Sequence, residues 1–265
     1  MTPVGGNVLI TGATGGLGQA MARVFAKRGA SLFLTGRRAD VLEALAAEVG
    51  GRMLQCDLAK RDEVERLIHE AQEATLDVLV ANAGLPATGS LTALPQDEID
   101  AMIEVNLRAP IALARALAPA MMERRHGHMV FISSLSGKAA SPASSLYAAT
   151  KFGLRGFALS IREDLRPHGV GVSVVLPGFI RDAGMFADAG VKLPPGVGTR
   201  TSEEVAAAVI SAIERNRAEV EVAPASLRLG ATVAGAAPAL AATAQRLLGG
   251  GKLATDLASG QRSKH

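Results

Sequence analysis

Short runs of consecutive apolar residues alternate along most of the chain with longer stretches in which apolar positions recur every three or four residues. Asn7–Thr11, Ser31–Thr35, Met53–Cys56 and Asp77–Ala81 are runs of the first kind and predict strands. Gly16–Arg28, stopped by Gly29, together with Ala39–Val49 and the charged, amphipathic Lys60–Ala74, predict helices. The second half continues the alternation. Gln96–Val105 and Leu107–Arg125 read as helices, with Pro110 near the start of the second; His128–Ser133 is a strand and Ser145–Arg166 a long helix. Val170–Leu176 is a strand ended by Pro177-Gly178. Thr201-Ser202-Glu203-Glu204 opens a helix running to about Arg215, with carboxylates at the positive end of its dipole, and Glu219–Val222 is a last strand.

This repetition predicts an α/β fold, a doubly wound parallel sheet of Rossmann-like type with helices on both faces. No internal repeat interrupts it, and the clearest loop is the Gly- and Pro-rich Asp182–Arg200. A single domain is expected over residues 1–225. A C-terminal helical extension should follow over 226–265, ending in a mobile Gly-, Ser- and charge-rich tail from Gly249.

Composition narrows the function classes. The chain has 265 residues, 48% of apolar type, and a mean hydropathy of +0.24, which argues against extensive disorder. Aromatic residues make up 3% and Trp is absent, so the core must be built from Ala, Val, Leu and Ile. The net charge is +3 and the pI about 9.3, but the basic residues are scattered, so no nucleic-acid surface is expected. A single cysteine, Cys56, excludes an intramolecular disulfide and reads as a core residue; with no signal peptide evident after Met1, a cytoplasmic protein is expected. His126 and His128 flank Gly127 without a Cys or carboxylate cluster, so no metal is expected. No charge occurs between Arg228 and Arg246. That stretch reads as a packed or surface-lying helix, with contact to a membrane surface as the alternative.

Two places suggest chemistry. Thr11-Gly12-Ala13-Thr14-Gly15-Gly16-Leu17-Gly18 follows the first strand and opens the first helix, where backbone N–H groups attract phosphate. There Gly12 suits a tight turn, Gly16 close approach of a pyrophosphate, and Gly18 packing of helix on sheet; a purely structural turn is the plain alternative. At the end of the second strand, where an acid would bind the 2′-hydroxyl of NAD, stand Gly36-Arg37-Arg38. Two guanidiniums suit a 2′-phosphate and favour NADP(H) over NAD(H), against the alternative of two solvated arginines.

The second place is the helix after the fifth strand. Tyr147, the only tyrosine, and Lys151 are four residues apart and share one helical face. An adjacent ammonium favours the phenolate, and a shift of about 3 units corresponds to about 4 kcal/mol. Ser134 ends the strand Val130-Phe131-Ile132-Ser133-Ser134, where ligands of parallel sheets bind, and its hydroxyl suits a substrate oxygen. A surface Tyr–Lys pair and a serine loop cap are the plain readings of these residues.

In order and spacing these motifs resemble the classical short-chain dehydrogenase/reductase family from about Val4 to Val222. The glycine segment resembles the family's cofactor signature. Cys56-Asp57-Leu58 is similar to its adenine-ring site, carried by Asp57, and Asn82-Ala83-Gly84 to the segment lying along the cofactor. Asn106, Ser134, Tyr147 and Lys151 fall at the spacing of its catalytic residues, and Pro177-Gly178 resembles the turn beside the nicotinamide, with Ile180 supplying a backbone contact.

The resemblance implies reversible reduction of a carbonyl. Tyr147 would exchange the proton, Ser134 orient the oxygen, Lys151 lower the tyrosine pKa and hold the nicotinamide ribose, and Asn106 anchor a water chain through its backbone. It also implies a homodimer or homotetramer packed through the helices ending at Arg125 and Arg166. The chain departs from the pattern at Asp182, where the family carries Thr, and at Ala81, where it carries Asn. Phe179, Met185 and Phe186 either line an apolar pocket or pack the lid, and the expected substrate is a lipophilic ketone, aldehyde or secondary alcohol. A 3-oxoacyl thioester reductase and a non-catalytic NADP-binding regulator are the alternatives.

Overall fold

Seven parallel strands form one sheet in the computed structural model, which describes residues 4–86, 89–191, 193 and 197–247. The strands are β1 (Asn7–Thr11), β2 (Ser31–Gly36), β3 (Arg52–Gln55), β4 (Val78–Ala81), β5 (His128–Ile132), β6 (Gly171–Pro177) and β7 (Glu219–Val222), in the order β3-β2-β1-β4-β5-β6-β7. The helices are α1 (Gly16–Ala26), α2 (Ala39–Val49), α3 (Arg61–Glu73), α4 (Gln96–Ile103), α5 (Ala109–Glu123), α6 (Ser145–Leu165), α7 (Gly184–Ala189), α8 (Ser202–Glu214), α9 (Ala225–Ala236) and α10 (Pro238–Leu247). The sheet is therefore the doubly wound, Rossmann-like one expected. The order of strand addition reverses between β1 and β4, and a crevice opens there at the carboxyl ends of the strands.

Alternation along each strand divides the core in two. Val8, Ile10, Val78, Val80, Val130, Ile132 and Val175 point to one face and meet Met21, Phe25, Leu42, Val205, Val209 and Ile213 of α1, α2 and α8. Leu9, Leu79, Met129, Phe131, Val172 and Val174 point to the other and meet Leu67, Leu113, Leu117, Met121 and Leu154 of α3, α5 and α6. With both faces covered, the central strands are apolar runs, the pattern of a buried parallel sheet. Phe131 is fully buried and meets Phe157 edge to face at 5.7 Å, so truncating it to Ala costs about 3–5 kcal/mol.

The structure refines the expected elements in three places. The two helices expected around Asn106 are one continuous helical stretch, in which residues Glu104–Arg108 take a π-helical turn between α4 and α5. The Asp182–Arg200 segment contains the short helix α7. The uncharged stretch after Arg228 belongs to α9 and α10, a helical pair against the β7 edge of the domain. The tail expected to be mobile, from Gly249, lies outside the described residues.

Candidate active site

The loop between β1 and α1 is shaped by its glycines. Gly12 has φ +64, and a Cβ there would stand 2.7 Å from Cα of Ala83. A Cβ on Gly18 would strike the Gly12 carbonyl and Ala13, so α1 can sit this close only with glycine there. Thr11 holds the opposite wall: its hydroxyl accepts from the N–H groups of Asn82 and Ala83, each at 3.0 Å. Asn82 Nδ2 donates back to the carbonyls of Thr11 (2.9 Å) and Gly12 (3.2 Å). Gly15 is the N-cap of α1 and offers no side chain, so first-turn N–H groups face the crevice uncapped, an anion-binding geometry. Leu17 faces the core from this turn, and Thr14 is buried beneath it.

The two arginines at the end of β2 differ in placement. Arg38 Nη2 donates to the Thr14 carbonyl at 2.5 Å, so this guanidinium is drawn onto the glycine loop. Both residues are exposed, but the Arg37 guanidinium makes no such bond to the loop, and the Arg37 carbonyl accepts from Gln55 Nε2 at 3.1 Å. Below them, Asp57 Oδ1 accepts from the Ala59 N–H at 3.1 Å, while the Asp57 N–H donates to Glu63 Oε2 at 2.7 Å; Leu58 is buried. Cys56 is buried, and burial, with the nearby carboxylates of Glu63 and Asp57, pushes its thiol up to about 12, which makes it inert.

Asn106, Ser134, Tyr147 and Lys151 converge at the carboxyl ends of β4 and β5. The π-turn directs the Asn106 side chain inward, where it is fully buried. Its Oδ1 accepts from the Leu85 N–H at 2.7 Å, and its Nδ2 donates to the Leu85 carbonyl at 3.0 Å and to Thr150 Oγ1 at 3.3 Å. Thr150 Oγ1 in turn donates to the Tyr147 carbonyl at 2.8 Å, tying the π-turn to α6. The Ser134 hydroxyl accepts from the Ser136 N–H at 3.1 Å and lies near the phenol of Tyr147.

Lys151 is almost wholly buried. Its Nζ donates to the Ile132 carbonyl at 3.0 Å and stands 5.6 Å from the centre of the Tyr147 ring. Burial lowers this ammonium to about 8. Burial also raises the phenol of Tyr147, and the nearby Ser134 hydroxyl opposes that rise. The Cβ position on Gly84 is 3.4 Å from Lys151 Nζ and 3.6 Å from both Asn106 Oδ1 and Met185 Cε, so Gly84 and α7 border the same space.

Beyond β6, the Gly178 N–H donates to the Val222 carbonyl at 3.0 Å, and buried Ile180 bridges to Arg200. Phe179 and Phe186 pack with ring centres 5.0 Å apart. The Asp182 carboxylate faces the start of α8, accepting from the Ser202 N–H (2.9 Å) and hydroxyl (2.9 Å). Thr11, Ser133 and Thr150 were not among the expected site residues, yet each fixes one that was. The Ser133 hydroxyl holds the Lys151 carbonyl at 2.9 Å. A short polar side chain beside each expected residue was the only signal. Among the described residues no group of His, Cys, Asp or Glu is placed to hold a metal.

Residues 6–192 match the family model described as short chain dehydrogenase. Nodulation protein G of Rhizobium sp. (strain N33) is 41% identical over 184 residues, 68% of this chain and 75% of that protein. Ketoacyl reductase HetN of Nostoc sp. (strain PCC 7120 / SAG 25.82 / UTEX 2576) is 36% identical over 228 residues, 83% of this chain and 79% of that protein. Among solved structures, a short-chain dehydrogenase from Sphingobium yanoikuyae in complex with NADPH superposes with a TM-score of 0.77 at 29% identity, covering 92% of this chain and 94% of that one. With its doubly wound sheet, its glycine loop at the switch point and a family match over most of its length, this chain belongs to the short-chain dehydrogenase family of oxidoreductases.

Proposed function

We propose that this oxidoreductase interconverts a lipophilic carbonyl and its alcohol with NADP(H). The observation that carries the reading is the buried ammonium of Lys151, 5.6 Å from the centre of the Tyr147 ring, with the Ser134 hydroxyl near that phenol at the end of β5. The cradle around Gly12 and Gly18, which a Cβ would fill, fits a dinucleotide. Gly12–Gly18 would hold the pyrophosphate, Asp57 and Leu58 the adenine, Asn82–Gly84 the ribose, and Pro177, Gly178 and Ile180 the nicotinamide, and Arg37 and Arg38 would pair with the 2′-phosphate. Bound there, the cofactor supplies hydride to the carbonyl carbon or takes it from the alcohol.

The remaining chemistry falls to side chains. Tyr147 gives its proton to the developing alkoxide, and Ser134 donates to the same oxygen and holds it in line. Lys151 places a positive charge beside the phenol, where a cation favours the phenolate. Asn106 fixes the π-turn and, through Thr150, the backbone of Tyr147. A positioned acid of this kind contributes about 10²–10⁴-fold, and holding the reactants together supplies much of the rest.

Phe179, Met185 and Phe186 form the apolar wall of the substrate site. The relative named as a ketoacyl reductase supports a second reading, reduction of a 3-oxoacyl thioester. Phe152 on α6 and Ile103 on α4 are large apolar side chains left about 40% exposed, which supports assembly into a dimer or tetramer through these helices. The single, buried cysteine suits the reducing cytosol, where we place the enzyme.

The test is NADPH absorbance over a panel of ketones, aldehydes, secondary alcohols and 3-oxoacyl thioesters. Tyr147→Phe is expected to keep cofactor binding and lose turnover by about 10²–10⁴-fold. A parent protein that binds NADPH and turns over nothing in the panel supports instead a non-catalytic, cofactor-sensing role.

A further inference from the structure

The two carboxylates of β7 join segments that carry the reacting groups. Glu219 and Glu221 stand two residues apart on the strand, so both point to one face, and their side chains are only 22% and 11% exposed. Three cations from different segments converge on them. Lys138 Nζ donates to Glu219 Oε1 at 3.1 Å and to Glu221 Oε1 at 2.6 Å. Arg155 Nε donates to Glu219 Oε2 at 2.5 Å, and Arg228 Nε to Glu221 Oε2 at 3.0 Å. Each carboxylate thus gives one oxygen to Lys138 and the other to an arginine. Largely withdrawn from water, these pairs are screened less than surface pairs.

Lys138 closes the turn Leu135–Gly137, which begins at Ser134. The N–H groups of Ser136, Gly137, Lys138 and Ala139 all donate back to Ser134 or Leu135, so these bonds shape the turn without fastening it to the sheet. Fastening falls to the Lys138 side chain and to the close seat of Gly137, where a Cβ would stand 2.8 Å from the Lys151 carbonyl oxygen. Arg155 stands on α6 at successive four-residue steps from Lys151 and Tyr147, on the same face. Glu219 therefore bridges the segment of Ser134 to the helix of Tyr147, with Lys138 on one of its oxygens and Arg155 on the other.

We propose that Lys138 and Arg155, joined through Glu219, are positioning residues that hold the Ser134 hydroxyl beside the Tyr147 phenol. The inference rests on the reading in which those two hydroxyls share the substrate oxygen. Both cations are engaged by carboxylates, and they act through the turn and the helix that they tether. A displacement of about 1 Å between the two hydroxyls is enough to slow the chemical step by about 10²-fold.

Tyr147 is the only tyrosine, so the full chain made with isotopically labelled tyrosine gives a single phenol-carbon resonance in NMR, which reports the surroundings of that hydroxyl. Ser134→Ala sets the shift that loss of the neighbouring hydroxyl produces. Lys138→Met is expected to move the resonance in the same direction, and no further when added to Ser134→Ala, the non-additivity of groups that act through one another. Its kcat should fall by about 10–100-fold with NADPH affinity unchanged. Lys138→Arg, which keeps a cation between the carboxylates, should restore most of both effects. Lys138→Met retains the Glu219–Arg155 and Glu221–Arg228 pairs and should fold; if it does not, Arg155→Met carries the same comparison. A resonance unmoved by these changes, a shift that adds in full to that of Ser134→Ala, or lower stability with unchanged kcat overturns the proposal. The expected resonances in a parent that turns over no carbonyl support the positioning and overturn only the functional reading.

Discussion

Asp182 is bound to Ser202 through both of that residue's donors, its backbone N–H and its hydroxyl. Burial works against the carboxylate, but these hydrogen bonds win and hold Asp182 below the usual carboxylate range. Around them the Ile180–Arg200 bridge, with Arg200 N–H on the Phe179 carbonyl at 2.9 Å and Arg181 N–H on the Arg200 carbonyl at 3.0 Å, closes the base of the segment that carries α7. The carboxylate therefore serves as a clasp at the start of α8, where a negative charge is also favoured by the helix dipole.

Asp182→Ala is accordingly expected to cost about 1 kcal/mol of stability, the usual value of a helix-start carboxylate. Its larger effect should fall on KM, because the released segment bears Met185 and Phe186 beside the reacting groups. Asp182→Asn, which keeps an acceptor for Ser202, should restore part of the loss. Urea unfolding and steady-state kinetics on the three proteins check this; unchanged KM in the alanine variant would count against the clasp.

Much of this site was legible in the sequence because its parts are local. Tyr147 and Lys151 meet by helical spacing, and the glycine loop follows directly on β1. The order of strands and helices is equally local, since each strand is a short apolar run. What escaped is long-range. Nothing near Asp182 in the chain announces Ser202, twenty residues on, as its partner. Asn106 marked the join of two expected helices, but only its bonds to Leu85 show why the join is a π-turn rather than a break. Helix α7 has six residues, too few for a periodic pattern to emerge from a Gly- and Pro-rich stretch. The unequal placement of the arginines was invisible because a carbonyl of the glycine loop, not a side chain, draws Arg38 in.

That inequality separates the two arginines experimentally. The parent is expected to bind NADPH more tightly than NADH. Arg37→Ala should weaken NADPH alone, by about 10–100-fold, the value of a charged hydrogen bond to phosphate, and leave NADH unchanged. Arg38→Ala removes the bond to the Thr14 carbonyl as well, so it should weaken both cofactors. Equal affinities of the parent for the two cofactors, measured by fluorescence titration, would remove the basis for the NADP reading.

Lys151 sets activity against stability. An unfolded lysine titrates at 10.5, whereas the buried one titrates at about 8. Because the folded value is the lower one, the penalty for burying the ammonium is full below about 8 and is relieved as pH rises from there to 10.5. The difference corresponds to about 3 kcal/mol at about 1.4 kcal/mol per unit. Lys151→Met is therefore expected to abolish turnover yet unfold at higher urea than the parent at neutral pH, with the gap closing toward pH 10.5. The parent's own carbonyl reduction should decline above about pH 8 as the charge beside Tyr147 is lost. A methionine variant less stable than the parent at neutral pH would show that the bond to the Ile132 carbonyl outweighs the buried charge.

His128 governs the acid side. It is buried at the start of β5, and its Nε2 lies 2.8 Å from Ser173 Oγ. That hydroxyl donates its one proton to the Arg217 carbonyl at 2.6 Å, so it must accept from His128, which carries its hydrogen on Nε2. Burial first, and the nearby Arg162 guanidinium second, push the imidazole down to about 3 from an ordinary 6.5. Below 6.5 the unfolded chain takes up a proton that the folded protein refuses, so stability drains away as pH falls from 6.5 toward about 3. The full difference is about 5 kcal/mol at about 1.4 kcal/mol per unit, enough to unfold a domain of ordinary stability. His128→Gln, whose amide can still donate to Ser173, is expected to flatten this slope while leaving stability at neutral pH within about 2 kcal/mol of the parent. Urea midpoints measured from pH 7 to pH 4 for both proteins test it, and parallel curves would assign the acid sensitivity to other groups.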